Sequence, residues 1–219
     1  MQKKINNKIR VKRVANRGHY DQVTIHSILD KEFVCQVSFV YDGYPIIIPT
    51  LYGRDGNTLY LHGSVKSRMM KSLREGGPVC ISVTRVNGYV LARSVFHHSA
   101  NYESVVLFGT AREVVNESDK LHAMEVVTEQ VLKGRWQEAR QPNPKEIDVT
   151  MIVAFDIEEG SAKIRTGGPK DDKEDYALDI WAGVVPIEKT YLPPIADPDR
   201  LKDEAIPDSV KQLFGKTIH

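Results

Sequence analysis

Tight-turn dipeptides set between strand-like runs constrain this chain more than any other feature. Asp42-Gly43 divides a run in which Phe33, Cys35, Val37 and Phe39 alternate with Val34, Gln36, Ser38 and Val40 from a β-branched run over 44–52. A period of two with one apolar face marks a half-buried strand. Glycine at the turn tolerates the positive φ that a two-residue hairpin demands. Arg54-Asp55-Gly56-Asn57 predicts a second turn, leading into a strand over 58–62. Asn87-Gly88 predicts a third, between strands over 79–86 and 89–96. Further strands are expected over 103–115, 150–157 and 162–165. Hairpins this closely spaced, with few helical crossovers, predict an antiparallel barrel or sandwich and disfavour a doubly wound parallel sheet.

Helices are the minority. Asp21 is a capping residue for a short helix over 22–30. Val65, Met69 and Leu73 share one helical face, which predicts a helix over 65–74 with Ser64 at its N-cap and a stop at Gly76-Gly77-Pro78. Leu121, Met124, Val127 and Val131 form the stripe of a helix over 118–133, ended by Gly134, and 140–145 reads as a loop. The chain divides into a basic arm over 1–20, one β-rich domain over 21–189 and a proline-bearing extension over 190–219 that ends in a short helix over 209–214. The arm holds Lys3, Lys4, Lys8, Arg10, Lys12, Arg13 and Arg17, with no acid before Asp21. A solvated, partly ordered tail is favoured over a polyanion-binding arm, because no aromatic residue precedes Tyr20 to stack on bases.

Balance of charge narrows the function. Thirty Lys+Arg face 29 Asp+Glu, a net charge of +1, so no nucleic-acid partner is expected. No apolar run approaches the roughly 18 residues of a membrane span, and no apolar stretch follows Met1 to suggest a secretory signal. Cys35 and Cys80 are too few for a disulfide scaffold or a four-cysteine zinc site, and both lie in strand-like runs, as buried free thiols do. The expectation is a soluble cytoplasmic protein.

Chemistry concentrates between Leu59 and Arg68. A strand runs through His62 into Gly63-Ser64 and then a helix, with Lys66, Ser67 and Arg68 at the join. Hydroxyls, an ammonium and a planar guanidinium at such a join suit a phosphate monoester. An exposed helix start with two surface cations is the bland alternative. Neither a Walker loop nor G-x-G-x-x-G occurs, and no G-x-S-x-G elbow supports a hydrolase. His97-His98, read as neighbours in a strand, point to opposite faces and have no evident third ligand, so no metal is expected. Lys163, Arg165 and the turn Thr166-Gly167-Gly168-Pro169 read either as a second anion site or as a strand entering a turn, the latter slightly favoured.

These segments, taken in order, resemble the FMN-binding split-barrel proteins related to pyridoxamine 5′-phosphate oxidase. In the oxidases an apolar strand precedes Tyr-Thr-Asn and a Ser-Arg-Lys triplet that holds the FMN phosphate. Here Pro45-Ile46-Ile47-Ile48-Pro49-Thr50 is the strand, His62-Gly63-Ser64 stand at the first motif, and Ser67-Arg68 match the second, with Met69 in place of Lys. Ser104-Val105-Val106-Leu107-Phe108-Gly109 and Trp181-Ala182-Gly183 are similar to two further motifs. Phe96-His97-His98-Ser99, Gly134-Arg135-Trp136 and the segment from Arg165 to Asp171 resemble the nitroimidazole-resistance branch. The resemblance covers roughly 13–187.

It implies an antiparallel six-stranded split barrel with flanking helices, forming a homodimer with FMN at the subunit interface. By the same resemblance Ile48, Pro49 and Thr50 offer backbone to the flavin ring. His62, Gly63 and Ser64 border the ring, Lys66, Ser67 and Arg68 hold phosphate, and Ser104 and Trp181 close the slot from the partner. His62 is then the catalytic candidate, delivering a proton to a small organic acceptor such as a nitro compound, with electrons from a nicotinamide or another donor. Alternatives are a flavin-binding protein without turnover and a haem-binding relative.

Overall fold

Six long strands wrap one apolar core. They are β2 (Val34–Tyr41), β3 (Tyr44–Leu51), β5 (Thr58–Ser64), β6 (Val79–Leu91), β7 (Ser99–Val114) and β8 (Thr150–Arg165). Three short strands join the same sheet: β1 (Gly18–His19), β4 (Gly53–Asp55) and β9 (Gly183–Pro186). The computed structural model describes residues 5–199 and 205–218. The sheet order is β3-β2-β6-β7-β8-β5-β4, every pairing antiparallel, with β1 added to β8 and β9 to β6. The sheet therefore has nine strands, where the family resemblance implies six. The three extra strands span only two to four residues each, too short to carry a period.

The Asp42-Gly43 hairpin forms as expected: both residues have positive φ, 51° and 76°, the left-handed pair that matches strand twist. Asn87-Gly88 does not turn. β6 runs straight through it with a register shift between Val86 and Gly88, and the reversal comes later, around a single 3-10 turn at Val95–His97. Gly88 is explained by a neighbour instead. A Cβ there would lie 2.8 Å from the Val185 carbonyl oxygen, so the glycine admits β9. The strands expected over 150–157 and 162–165 are likewise one continuous element, β8.

The core gathers Val37, Phe39, Ile81, Val83, Leu107, Leu59, Leu61, Val153 and Phe155 inside the barrel. Two helices plug it: α1 (Gln22–Leu29), through Ile25, Ile28 and Leu29, and α2 (Arg68–Arg74), through Met69, Met70 and Leu73. Asp21 caps α1 by accepting from the Thr24 amide at 2.8 Å. A second cluster, Val114, Ala123, Ile152 and Ala154 with Tyr60 and Met124, lies under α3 (Glu117–Val131). Beyond it come α4 (Arg135–Glu138) and α5 (Pro144–Asp148), the latter closed by a capping box of Asn143 and Glu146. Towards the C-terminus β10 (Lys189–Thr190) pairs with β11 (Thr217–Ile218), with α6 (Asp208–Lys211) between them.

The described part of the basic arm lies on the barrel. Lys8 forms a 2.6 Å ion pair with Glu159 and sits over the Phe108 ring, Ile9 is buried, and the Val11 amide donates to the Tyr20 hydroxyl at 2.9 Å. Apolar and paired contacts thus hold part of residues 5–20 on the barrel, while 12–16 stay exposed. Lys3 and Lys4 lie outside the described residues, as do 200–204 of the extension. No described helix is long and apolar enough to cross a membrane.

Candidate functional site

His62, Gly63, Ser64, Lys66, Ser67 and Arg68 lie along the end of β5 and the turn that leads into α2. β3 is an edge strand, the place in a sheet where Pro49 is tolerated, since one side of its backbone has no ladder to satisfy. Beyond β3 the chain turns into β4, which pairs with β5 in the register Gly53↔Tyr60 and Arg54↔Leu59. β3 and β5 touch without pairing. Along β3 Ile46 and Ile48 turn to the core, while Ile47, Pro49 and Leu51 are exposed. This edge strand, with its outward apolar strip, touches the strand that carries His62, Gly63 and Ser64.

β5 alternates. Leu59 and Leu61 face the core, and Gly63 follows them inward, where a Cβ would meet the Met70 side chain at 3.0 Å. That packing accounts for the glycine. Tyr60 and His62 occupy the other face, with His62 paired to Ile152 of β8. His62 is half-buried, and its Nδ1 is buried without a hydrogen-bond partner. Desolvation by burial lowers its pKa below the ordinary 6.5. The imidazolium donor expected from the sequence is therefore scarcer at neutral pH than for a free histidine, and the neutral ring is the resident form.

This has a measurable consequence for folding. Below pH 6.5 the unfolded imidazole takes up a proton that the folded one resists. Stability should then fall as pH drops from 6.5 towards the lowered folded value, and stay level above it. His62→Gln should flatten that slope in denaturant titrations across the window. A slope unchanged by the substitution would assign it to other groups.

At the join the helix starts later than its apolar pattern suggests. α2 begins at Arg68, and Ser67, not Ser64, is its N-cap, accepting from the Met70 amide at 3.4 Å. Residues 64–67 form a turn instead, held by the Ser67 amide donating to the Ser64 carbonyl at 2.8 Å and the Lys66 amide to the Ser64 hydroxyl at 3.2 Å. Both hydroxyls keep a proton to donate. Lys66 and Arg68 are exposed, and neither has a carboxylate partner among the described residues. Arg68 lies over the Tyr41 ring, 5.0 Å from its centroid. Sequence reasoning misses Tyr41 because it comes from the β2–β3 hairpin tip, far along the chain.

Ser104 and Trp181 stand elsewhere. Ser104 pairs with Lys163 on β8, whereas His62 pairs with Ile152. Eleven residues of strand, at about 3.3 Å each, separate those points by roughly 30 Å or more of strand path. Trp181 is further along still, next to Gly183, which pairs with Leu91 at the end of β6. Trp181 is 67% exposed. One protomer does not bring Ser104 and Trp181 to His62.

The histidine pair also differs from expectation. His97 and His98 lie in the 3-10 turn and just after it, not in a strand. His97 Nε2 is 3.2 Å from Asp172, and the donor atoms of His97, Asp172 and Asp175 fall within 4.8 Å of one another. His98 Nδ1 instead contacts the Ser94 carbonyl at 3.0 Å. No spacing rule could show that grouping, since the residues are 75 positions apart.

Comparison with known proteins bears on the fold and the family. The family model described as pyridoxamine 5′-phosphate oxidase matches residues 21–164. The flavocytochrome Anf3 from Azotobacter vinelandii is 36% identical, with 96% of this chain and 98% of that one covered and a TM-score of 0.89. The FAD and heme binding protein from Mycobacterium smegmatis is 34% identical over 91% of this chain and 98% of that one, with a TM-score of 0.87. A putative 5-nitroimidazole antibiotic resistance protein from Bacteroides thetaiotaomicron shares the fold, at 20% identity, 67% and 87% coverage and a TM-score of 0.57. No curated protein matches the chain. Barrel, ordered motifs and near full-length likeness together make this chain a member of the pyridoxamine 5′-phosphate oxidase family.

Proposed function

We propose that this protein binds a flavin nucleotide beside His62 and uses it to pass electrons to a small organic acceptor. The observation that carries the reading is the set at 62–68: two hydroxyls and two cations without a counter-charge among the described residues, next to a buried imidazole nitrogen without a partner there. Both fit a ligand with a phosphate at one end and a polar ring edge at the other. Lys66, Ser67 and Arg68 would hold the ribityl phosphate, which FMN and FAD share. The edge backbone at 48–50, with His62 and Ser64, would border the ring. A bound flavin supplies reversible electron and hydride transfer. His62, as a neutral ring, positions ligand or acceptor through a hydrogen bond and is the catalytic candidate for moving a proton. The separation of Ser104 and Trp181 from His62 supports a homodimer in which each subunit closes its partner's slot. The two free thiols, Cys35 buried and Cys80 half-buried, suit the cytoplasm.

A second reading adds haem. It is favoured by the two relatives that are 34–36% identical over more than nine-tenths of this chain, one described as a flavocytochrome and the other as binding FAD and heme. One experiment separates the readings. The purified protein is expected to show flavin absorption bands, to release a flavin nucleotide on denaturation that chromatography identifies as FMN or FAD, and to sediment as a dimer. A Soret band, before or after haem titration, would add the second cofactor. Bleaching by NADH or NADPH faster than free flavin would mark turnover. A colourless monomer that takes up no flavin would refute the proposal.

A further inference from the structure

A second positive cluster stands at the other end of β8. Lys163 and Arg165 alternate with the core-facing Ala162 and Ile164, so both project from the outer face of the strand. Arg165 is only 6% exposed. Its Nη1 donates to the Asn101 side-chain oxygen and to the Gly167 carbonyl, and its Nη2 donates to the Gly168 carbonyl at 3.3 Å. Its Nε is buried with no partner. Arg17 comes directly before β1, whose Gly18 pairs with Lys163. Burial, and then the nearby Arg17 charge, lower the Arg165 pKa.

No carboxylate among the described residues pairs with any of these three cations. Asp171 is taken by Arg93 at 3.2 Å, and Glu103 by Lys31 at 3.2 Å. Amide and carbonyl oxygens satisfy guanidinium hydrogens but leave its charge uncompensated. A buried cation without a counter-charge is unfavourable, and the nearby Arg17 charge adds repulsion. An anion bound there removes both penalties. The fork of an arginine flanked by two more cations suits a phosphoryl group in particular.

We propose that Arg17, Lys163 and Arg165 form a second phosphate-binding site, distinct from Lys66, Ser67 and Arg68, that receives a phosphoryl group of a nucleotide. It shares its face with Ser104, whose hydroxyl donates to the Lys163 carbonyl at 3.4 Å. Two sources carry this chemistry. One is the second phosphate of a dinucleotide flavin held mainly by the partner subunit, and that arm rests on the proposed function. The other is a separate phosphorylated ligand, such as a nicotinamide dinucleotide, and that arm does not.

The test uses full-length protein carrying Arg17→Gln and Lys163→Gln, singly and together. Arg165 is kept because it also ties the turn carbonyls. FMN, FAD and NADPH are titrated separately, and inorganic pyrophosphate is titrated in a Lys66→Ala/Arg68→Ala background so that the first set cannot answer for it. If FAD loosens about tenfold or more while FMN is unchanged, the site takes the second flavin phosphate. If both flavins are unchanged while pyrophosphate and NADPH loosen by that factor, the ligand is separate. The pyrophosphate arm reads the cluster even in a protein that binds no flavin. The proposal is overturned if no ligand loosens, or if FMN loosens as much as FAD.

Discussion

Replacing Lys66 and Arg68 together by alanine should weaken flavin-nucleotide binding by about a hundredfold while leaving riboflavin binding unchanged. Both side chains are exposed, so their loss strands no buried charge and the barrel should remain intact. A hydrogen bond to a charged group contributes roughly 1.5–3 kcal/mol, or about tenfold or more per residue. Arg68→Lys should recover only part of the loss, because a point charge cannot reproduce the planar fork. Flavin fluorescence quenching during titration reads all of these variants. Equal losses for riboflavin and its nucleotides would place the effect on the ring, and no loss at all would remove the phosphate site.

Phe155→Ala should produce the largest loss of stability. The ring is fully buried in the main core, and its residue pairs with Leu59 on one side and Ala111 on the other. Emptying such a site costs about 3–5 kcal/mol, because a barrel held by ladders on both sides cannot collapse into the void. At roughly 2–4 °C per kcal/mol for a chain of this size, the melting temperature should fall by about 6–20 °C. The comparison belongs at fixed protein and flavin concentration, since ligand and oligomer binding shift apparent stability. Val23→Ala is the control: that side chain is 80% exposed on α1 and should change stability by less than about 0.5 kcal/mol. A Phe155→Ala protein that melts with wild type would show that the core relaxes around the gap.

Local chemistry makes much of this protein legible in its amino-acid sequence. The alternation of Cys35, Val37 and Phe39, the left-handed pair Asp42-Gly43 and the Asp21 cap each act within a few residues, so each is readable along the chain and each forms. The capping box of Asn143 and Glu146, with Pro144 between them, is equally local, yet the two prolines of 140–145 give that segment the look of a loop. The phosphate-type set at 64–68 is legible because its members are consecutive.

Tertiary structure decides what depends on distant partners. Asn87-Gly88 has the composition of a turn, yet β9 approaches from almost a hundred residues away and makes it a straight, bulged strand. Gly63 is placed beside the ring by resemblance alone, and the packing of Met70 against its inner side is set by the fold. Ser67 displaces Ser64 as the cap because the Val65 amide is held by the Val149 carbonyl, outside the helix. The grouping of His97 with Asp172 and Asp175, and the uncompensated charge of Arg165, arise only when separate loops meet. Periodicity and turn chemistry are properties of neighbours along the chain, and they determine which strands and helices exist. Register, burial and the pairing of charges are set by the closed barrel, because only there does each side chain acquire the neighbours that fix its electrostatics.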